Sequence, residues 1–579
     1  DTFYNLNGEW GFAFDDDDRG LKERWYVPGY RLERKITVPF CYQCAAGGLG
    51  PDRTIHPILW YRRSFCVPAD MRDSRILLRF GAVDYACRVY VNGSMAGTHE
   101  GGYLPFALDI TDLLREGEND LCLRVTDDRD CIQPRGKQYW DEGTKACWYT
   151  PVSGIWQTVY LEAVGDLGIR YIHITPDVDR HMATAEILLD HLPREEYEVR
   201  LQISLNGKPY KTCSATGRER LIRIPVDMAV HGGWEPVELW QPGKPVLYDV
   251  IAALTVNGRQ TDRVRTYFGM RKIEVRDGNI YLNNRLLYQR LVLDQGYWQE
   301  SLLTPPSDEA IRFDIRAALD MGFNGVRKHQ KIEDPRFYYW ADRMGLLVWG
   351  EMPSVYMHSD ESVRQLADTM MGFMERDYNH PSIIVWTPMN ESWGVRQVAA
   401  NIKQQQLVSM LYHLTKAADG TRLCSSNDGW EQMETDICAL HDYTAGKEEL
   451  KMHFAGREQV EKSGCFANRT YADNAPYTGR EAFLVTEYGG IAFDNTPSQG
   501  EDSWGYNGRV HSTEEFMQRY RASTDAVREI PYCQGYCYTQ LTDVMQEING
   551  LLTMDRKFKV SPEALRACNT DPDGKQGRG

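Results

Sequence analysis

Two short segments carry residues whose types and spacing could break a glycosidic bond. Trp386-Thr387-Pro388-Met389-Asn390-Glu391-Ser392-Trp393 and Leu484-Val485-Thr486-Glu487-Tyr488-Gly489-Gly490 each begin with an apolar, strand-like run and end in a glutamate beside small or turn-prone residues. A carboxylate just past a buried strand is costly unless something pairs with it. Two of them, 96 residues apart (487 − 391), read as a pair at one rim of a sheet. Paired carboxylates of that kind hydrolyse glycosides.

Such a pair needs a scaffold that gathers distant strand ends. From residue 275 or so, apolar strand-like runs alternate with helical ones. Ser307 to Met321 reads as a helix, with Ser307 as cap, Asp308 and Glu309 in the first turn and Gly322 as stop. Asp334-Pro335 opens the next helix and Gly345 ends it, and a longer helix is expected over 397–417. The strands between are Leu287–Asp294, Gly325–His329, Leu346–Glu351, Ile383–Glu391, Leu423–Asp428, Ile437–Tyr443, Phe483–Glu487 and Cys533–Asp543. Strands apolar on both faces and separated by helices are parallel and covered, and eight of them match a (β/α)8 barrel. An open doubly wound sheet is the lesser reading, since no GxGxxG follows the first strand. In a barrel the site lies at the carboxyl ends of the strands. Those ends are polar throughout: Asp294-Gln295, Arg327-Lys328-His329, Glu351, Asn390-Glu391, Asp428-Gly429-Trp430, His441-Asp442-Tyr443, Glu487-Tyr488 and Tyr538-Thr539-Gln540. Any single one has even odds of being a satisfied structural polar, but eight together weaken that reading.

Upstream the chain reads as all-β. Ile76–Phe80, Cys87–Val91 closed by Asn92-Gly93, Leu121–Val125 and Gln157–Leu161 mark a first sandwich over 1–165. Val199–Leu205 closed by Asn206-Gly207, and Ala252–Val256 closed by Asn257-Gly258, mark an immunoglobulin-like sandwich over 166–270. The barrel takes 271–579. A length of 579 residues, 42% of them apolar, supports several cores. The net charge of −16 (66 − 82) argues against a nucleic-acid partner. No apolar run is long enough to span a membrane, and Asp1-Thr2-Phe3-Tyr4 lacks the basic start of a signal peptide. The cysteines show no CxxC…CxxC zinc pattern and sit in strand-like runs (Cys87, Cys122, Cys438), as reduced thiols of a cytoplasmic protein do. The aromatic content suits sugar stacking, although most aromatics in any chain are core.

The motifs resemble the glycoside hydrolase 2 family, which includes β-galactosidases, β-glucuronidases and β-mannosidases. In the first segment the resemblance rests on Leu6-Asn7-Gly8-Glu9-Trp10, Trp60-Tyr61-Arg62-Arg63-Ser64-Phe65, Gly102-Tyr103-Leu104-Pro105-Phe106 with Asp109-Ile110-Thr111, and Gly154-Ile155-Trp156. In the last it rests on Gly325-Val326-Arg327, Asn390-Glu391-Ser392 and Thr486-Glu487-Tyr488-Gly489. It implies a jelly-roll sugar-binding domain, an immunoglobulin-like domain and a TIM barrel. It also implies Glu391 as general acid/base, Glu487 as nucleophile, Asn390 on the sugar 2-hydroxyl, Tyr443 orienting the nucleophile and Tyr538 as aromatic platform. The chemistry then asks for a Glu391 pKa raised by its surroundings and an ionised Glu487, which Arg327 would favour.

The chain departs from its relatives in three places. The Asn-x-Lys with which glucuronidases grip a uronate is replaced by Gln546-Glu547-Ile548-Asn549-Gly550-Leu551, where Glu547 would repel one. Glu351-Met352-Pro353-Ser354 offers one carboxylate and no neighbouring His, so no catalytic metal is expected, and His358 reads as a loop residue. Arg327-Lys328-His329-Gln330 lacks the Ser-His-Tyr-Pro of many relatives, which leaves Asp294, His329, Asp428 and Trp430 as candidates for the 3- and 4-hydroxyls. The expectation is a retaining exo-β-glycosidase without cofactor, a β-galactoside first. The other readings are a β-glucoside, β-mannoside, galactofuranoside, arabinoside or β-glucuronide substrate, a non-catalytic carbohydrate-binding relative, and a scaffold whose β segments pair copies of the chain into a homo-oligomer. The loop from Arg135 to Trp148, rich in Trp, Tyr and Lys, reads equally as a contribution to the barrel rim and as surface packing.

Overall fold

The computed structural model describes residues 2–570 apart from 231, 232, 234, 235, 458, 459, 461–469, 473, 476, 477 and 495–501. Residues 289–539 supply an eight-stranded parallel sheet: β1 (Gln289–Asp294), β2 (Gly325–Lys328), β3 (Leu347–Glu351), β4 (Ile383–Thr387), β5 (Leu423–Cys424), β6 (Ile437–Asp442), β7 (Ala482–Gly489) and β8 (Cys533–Thr539). The order runs from β5 back to β1, then through β8 and β7 to β6. The ring closes between β5 and β6 without a ladder, by Asp436 N donating to Cys424 O at 3.0 Å. Leu291, Leu293, Leu347, Trp349, Val385, Ala439, Leu484 and Cys537 fill the interior. Ile280 and Leu282 of a preceding hairpin plug the floor.

Local chemistry explains the boundaries. Ser307 accepts from Ala310 N ahead of the helix Asp308–Asp320, and Asp334 caps Pro335–Met344, which ends at Gly345 with φ +77°. The helix expected from 397 begins instead at Ile402, because Asn401 caps it by accepting from Lys403 N and Gln404 N. Strand β5 is shorter than expected. After Cys424 the chain leaves the ladder, and Asn390 and Asp428 form a lone bridge, with Asp428 N donating to Met389 O and Glu391 N to Asp428 O, both 2.9 Å. Strand β4 stops before Pro388, which has no N–H for a ladder.

Two sandwiches precede the barrel. The first packs a four-stranded sheet on a six-stranded one around Trp10, Tyr61, Leu78, Phe80, Val89 and Leu123. The second packs three strands on four around Ile187, Val199, Leu201, Ile224, Val250 and Leu254. The Asn-Gly turns at 92, 206 and 257 have both residues at positive φ, as type I′ turns require. The second sandwich meets the barrel through Trp240 Nε1 donating to Asp342 O and Tyr267 OH to the Asp342 carboxylate, each at 2.8 Å. No helix among the described residues is long and apolar enough to cross a membrane.

Candidate active site

Arg327 is the hub of the carboxyl end of the barrel. On β2 its side chain points inward, with no exposure. Nε donates to Glu351 Oε2 at 2.8 Å, one terminal nitrogen donates to Asp428 Oδ1 at 2.9 Å and Thr486 O at 2.8 Å, and the other to Glu487 Oε1 at 2.7 Å and Asn390 Oδ1 at 2.9 Å. Every N–H of the guanidinium therefore has a protein acceptor. Arg327, expected beside Glu487 and counted with the substrate-binding residues, does meet Glu487, but the structure places it beneath the groups that would touch substrate. Asp428 is equally enclosed: Oδ1 takes Arg327 and His441, and Oδ2 takes Ser425 Oγ at 2.8 Å.

Glu487, at the end of β7, is 3% exposed. Besides Arg327 it accepts a hydrogen bond from Tyr443 OH, whose ring stacks on Tyr506 at 3.9 Å. Both oxygens are thus aimed by donors. Asn390 is fully buried, with Oδ1 tied to Arg327 and Nδ2 without a protein partner. An unpaired buried amide is costly, and a ligand hydroxyl would satisfy it.

Glu391 lies on a turn where it and Ser392 have φ of +50° and +53°. Left-handed backbone at two adjacent residues with side chains is strained. It is held by Glu391 N on Asp428 O and Ser392 N on Asn427 Oδ1 at 3.0 Å. The carboxylate accepts from Trp393 Nε1 at 3.2 Å and meets His441 Nδ1 at 2.9 Å. The other nitrogen of His441 meets Asp428 at 2.9 Å and lies 3.5 Å from Glu487. Ligand atoms of Glu391, His441 and Glu487 all fall within 4.8 Å of one another, a set that could also hold a cation, although the Arg327 charge on Glu487 works against one.

The electrostatics differ from the expectation for Glu391. Burial pushes its pKa up, but the hydrogen bond and charge of His441 outweigh that and bring it down to about 2. Burial likewise opposes a charge on His441, yet the Glu487 charge and the bonds to Asp428 and Glu391 lift it to about 10. The pair holds one proton, resting on the imidazole. Glu351 is pushed up to about 7 by burial, against the pull of Arg327. His329 is kept well below its ordinary value by burial and by the Lys137 and Arg327 charges; its Nδ1 meets Glu351 at 2.9 Å.

Two expected substrate contacts face the wrong way. Tyr538 is one residue out of phase with Cys537 and Thr539, which point into the barrel, so its ring packs in the outer layer against Tyr488 and Tyr520 at 5.5 and 4.8 Å. Asp294 follows the inward Leu293 and so also points outward, where Lys328 Nζ holds it at 2.8 Å. His329 stays in the pocket, and Trp430 stands half-buried at the rim with the Arg396 guanidinium 5.0 Å above it.

Several wall residues were absent from the expected set: His441, Lys137, Tyr149, Trp393 and Tyr506. His441 carried a signal, as an inward position on β6 two residues before Tyr443. The first sandwich supplies Lys137 and Tyr149 on a loop that folds over the barrel mouth, with Tyr149 OH donating to Glu547 Oε2 at 2.5 Å. Burial raises the pKa of Glu547, against the pull of Lys137.

Comparison with known proteins agrees with this architecture. The profile described as "Glycosyl hydrolases family 2, sugar binding domain" matches residues 3–163, "Glycosyl hydrolases family 2" matches 168–271, and "Glycosyl hydrolases family 2, TIM barrel domain" matches 273–568. A putative beta-glucuronidase of Formosa agariphila is 27% identical over 376 residues, covering 62% of this chain and 43% of that protein. A beta-galactosidase of Thermoanaerobacter pseudethanolicus is 27% identical over 404 residues, covering 67% and 52%. The chain thus spans about half the length of these relatives. Among solved structures, a β-glucuronidase from Ruminococcus gnavus in complex with D-glucuronic acid superposes with a TM-score of 0.76 at 18% identity, covering 98% of this chain and 97% of that one. With the barrel profile alone covering more than half of its residues, the chain belongs to glycosyl hydrolases family 2.

Proposed function

We propose that the chain is a retaining exo-β-glycosidase acting on a neutral glycone, a β-galactoside first. The observation that carries the reading is the approach of Glu391 and Glu487, with oxygens within 4.8 Å of each other. Retaining enzymes keep their carboxyls about 5–5.5 Å apart, whereas inverting ones need roughly 6.5–9.5 Å to admit a water. Glu487, aimed by Arg327 and Tyr443, attacks the anomeric carbon and forms a glycosyl ester as the glycosidic C–O bond breaks. The leaving oxygen takes the proton held by Glu391 and His441. A water then gives its proton back to that pair, attacks the same carbon and releases Glu487. Asn390 Nδ2 is free to hold the 2-hydroxyl.

Support for a neutral glycone comes from charge. Glu351, Glu391, Asp428, Glu487 and Glu547 face Arg327, Lys137, His441 and, at the rim, Arg396, five carboxyls against four cations. A uronate would add a further negative charge beside Glu547. The β-glucuronidases among the relatives favour a β-glucuronide as the second reading.

The test compares p-nitrophenyl β-galactoside, β-glucoside, β-mannoside, galactofuranoside and β-glucuronide. Release from a neutral β-glycoside with retained configuration by NMR is the expected result. Glu487→Gln should lose about 10⁴-fold or more of kcat while still binding sugar. Inverted product, or full turnover by that variant, would sink the reading.

A further inference from the structure

Lys137 is a buried ammonium with no counter-ion at contact distance. It is 5% exposed, and among the described residues no carboxylate lies within 4.0 Å of its nitrogen, although its neighbours include Glu391, Glu547, His329, Tyr356 and Cys147. Burial pushes the Cys147 thiol up, against the pull of the Lys137 charge. Burying a charge without a partner is among the costlier things a chain can do. Burial opposes the charge, yet Cys147 first, then Glu391, Tyr356 and Glu547, raise its pKa above the ordinary value.

The loop that carries it is built to hold it there. On one side Arg135 N and Gly136 N both donate to Ser354 O, at 2.9 and 3.1 Å, and Tyr356 OH donates to Gly136 O. Gly136, at φ +62°, lies so close to the loop after β2 that a Cβ would sit 2.0 Å from Gln330 O. On the other side Gln546 Nε2 donates to Ala146 O and Trp148 O, at 2.6 and 3.0 Å, and Trp504 Nε1 to Ala146 O at 3.1 Å. Tyr149 N donates to Lys137 O at 2.8 Å, tying the two arms together. Lys137 is thereby held where its charge acts on Glu391, Glu547 and His329, 254 residues ahead of Glu391 in the chain (391 − 137).

We propose that Lys137 is a substrate-contacting, specificity-determining residue whose ammonium donates hydrogen bonds to hydroxyl oxygens of a neutral glycone, with the facing Glu547 accepting from a hydroxyl of the same sugar. The assignment rests on the glycosidase reading above. A polyol offers donors and acceptors to both groups at once. A uronate would satisfy Lys137 but leave Glu547 opposed to it. The first sandwich then contributes directly to sugar recognition, and the pocket is incomplete without it.

The experiment measures kcat and KM on the same five glycosides for the full chain and for Lys137→Met, Lys137→Gln and Glu547→Gln, with melting temperatures and calorimetric binding of a galactose-configured iminosugar. Lys137→Met is expected to lose roughly 10- to 100-fold in kcat/KM on the preferred neutral glycoside, the size of a hydrogen bond to a charged group, with a melting temperature equal to or above that of wild type. Lys137→Gln reads the same contact if the methionine variant does not fold. Glu547→Gln is expected to lose activity on the neutral glycoside as well. The proposal is overturned if the folded Lys137 variants keep kcat/KM within twofold of wild type, or if wild type prefers the β-glucuronide and Lys137→Met abolishes that preference. A wild type that turns over none of the five defeats the glycosidase reading instead. Iminosugar binding then decides Lys137 separately: weaker binding by the variants upholds the contact, equal binding removes it.

Discussion

The acid/base glutamate and its histidine act as one proton-holding unit. Glu391 and His441 lie 2.9 Å apart, with the carboxyl drawn down to about 2 and the imidazole lifted to about 10. The basic limb of kcat/KM should therefore lie well above neutrality, where the pair loses its single proton. His441→Asn removes the cation, so the pKa of Glu391 rises, yet the limb moves to lower pH, because the proton is then held by a carboxyl alone. The variant should lose about 10²-fold on glycosides with poor leaving groups and much less on p-nitrophenyl ones. Equal losses on both would show that His441 does not share the proton. The same pair bears on stability. The raised His441 contributes fully below its ordinary 6.5 and loses that contribution as pH climbs through about 10. The lowered Glu391 contributes above its ordinary 4.5 and loses it as pH falls through about 2. The melting-temperature gap between wild type and His441→Asn should thus be widest between pH 4.5 and 6.5 and narrow toward either extreme.

At the scale of elements, β2 and the loop over 135–149 do the positioning. Arg327 on β2 ties together the ends of β3, β4 and β7 and the turn after β5 through Glu351, Asn390, Glu487 and Asp428. Replacing it with Met leaves three buried carboxylates without their cation, and urea denaturation at pH 7 should show a loss of about 3–5 kcal/mol. A loss under 1 kcal/mol would mean that the barrel mouth relaxes freely around the gap. Gly136→Ala forces a methyl against Gln330 O in a left-handed backbone. It should cost about 1–3 kcal/mol and lower kcat/KM through the displaced loop; an unchanged kcat/KM would show that the loop finds the same position without the glycine.

Over the whole molecule, the first sandwich and the barrel share one pocket. Thr304 Oγ1 of the barrel donates to Trp156 O at 2.7 Å, and Tyr149, Tyr297 and Leu303 belong to one continuous core. Occupying the pocket should therefore stiffen both. Hydrogen exchange at residues 135–149 is expected to slow when a neutral iminosugar binds, alongside residues at the ends of β4 and β7. Slowing confined to the barrel would separate the sandwich from the site. What the chain determined by itself was the set of strands, their order and the two glutamates. Runs apolar on both faces announce covered parallel strands, and a carboxylate at such a strand end stands out against its cost. Tertiary structure alone decided which strand-end side chains face the pocket. A strand shows its period of two in sequence but not which phase points inward, so Asp294 and Tyr538 read like Arg327 and Tyr443 until the ring was closed. Lys137 was legible only as part of the Arg135–Trp148 loop, which read equally as barrel rim and as surface packing: its partners lie hundreds of residues downstream, and no local pattern decides which side chain of such a loop enters the pocket.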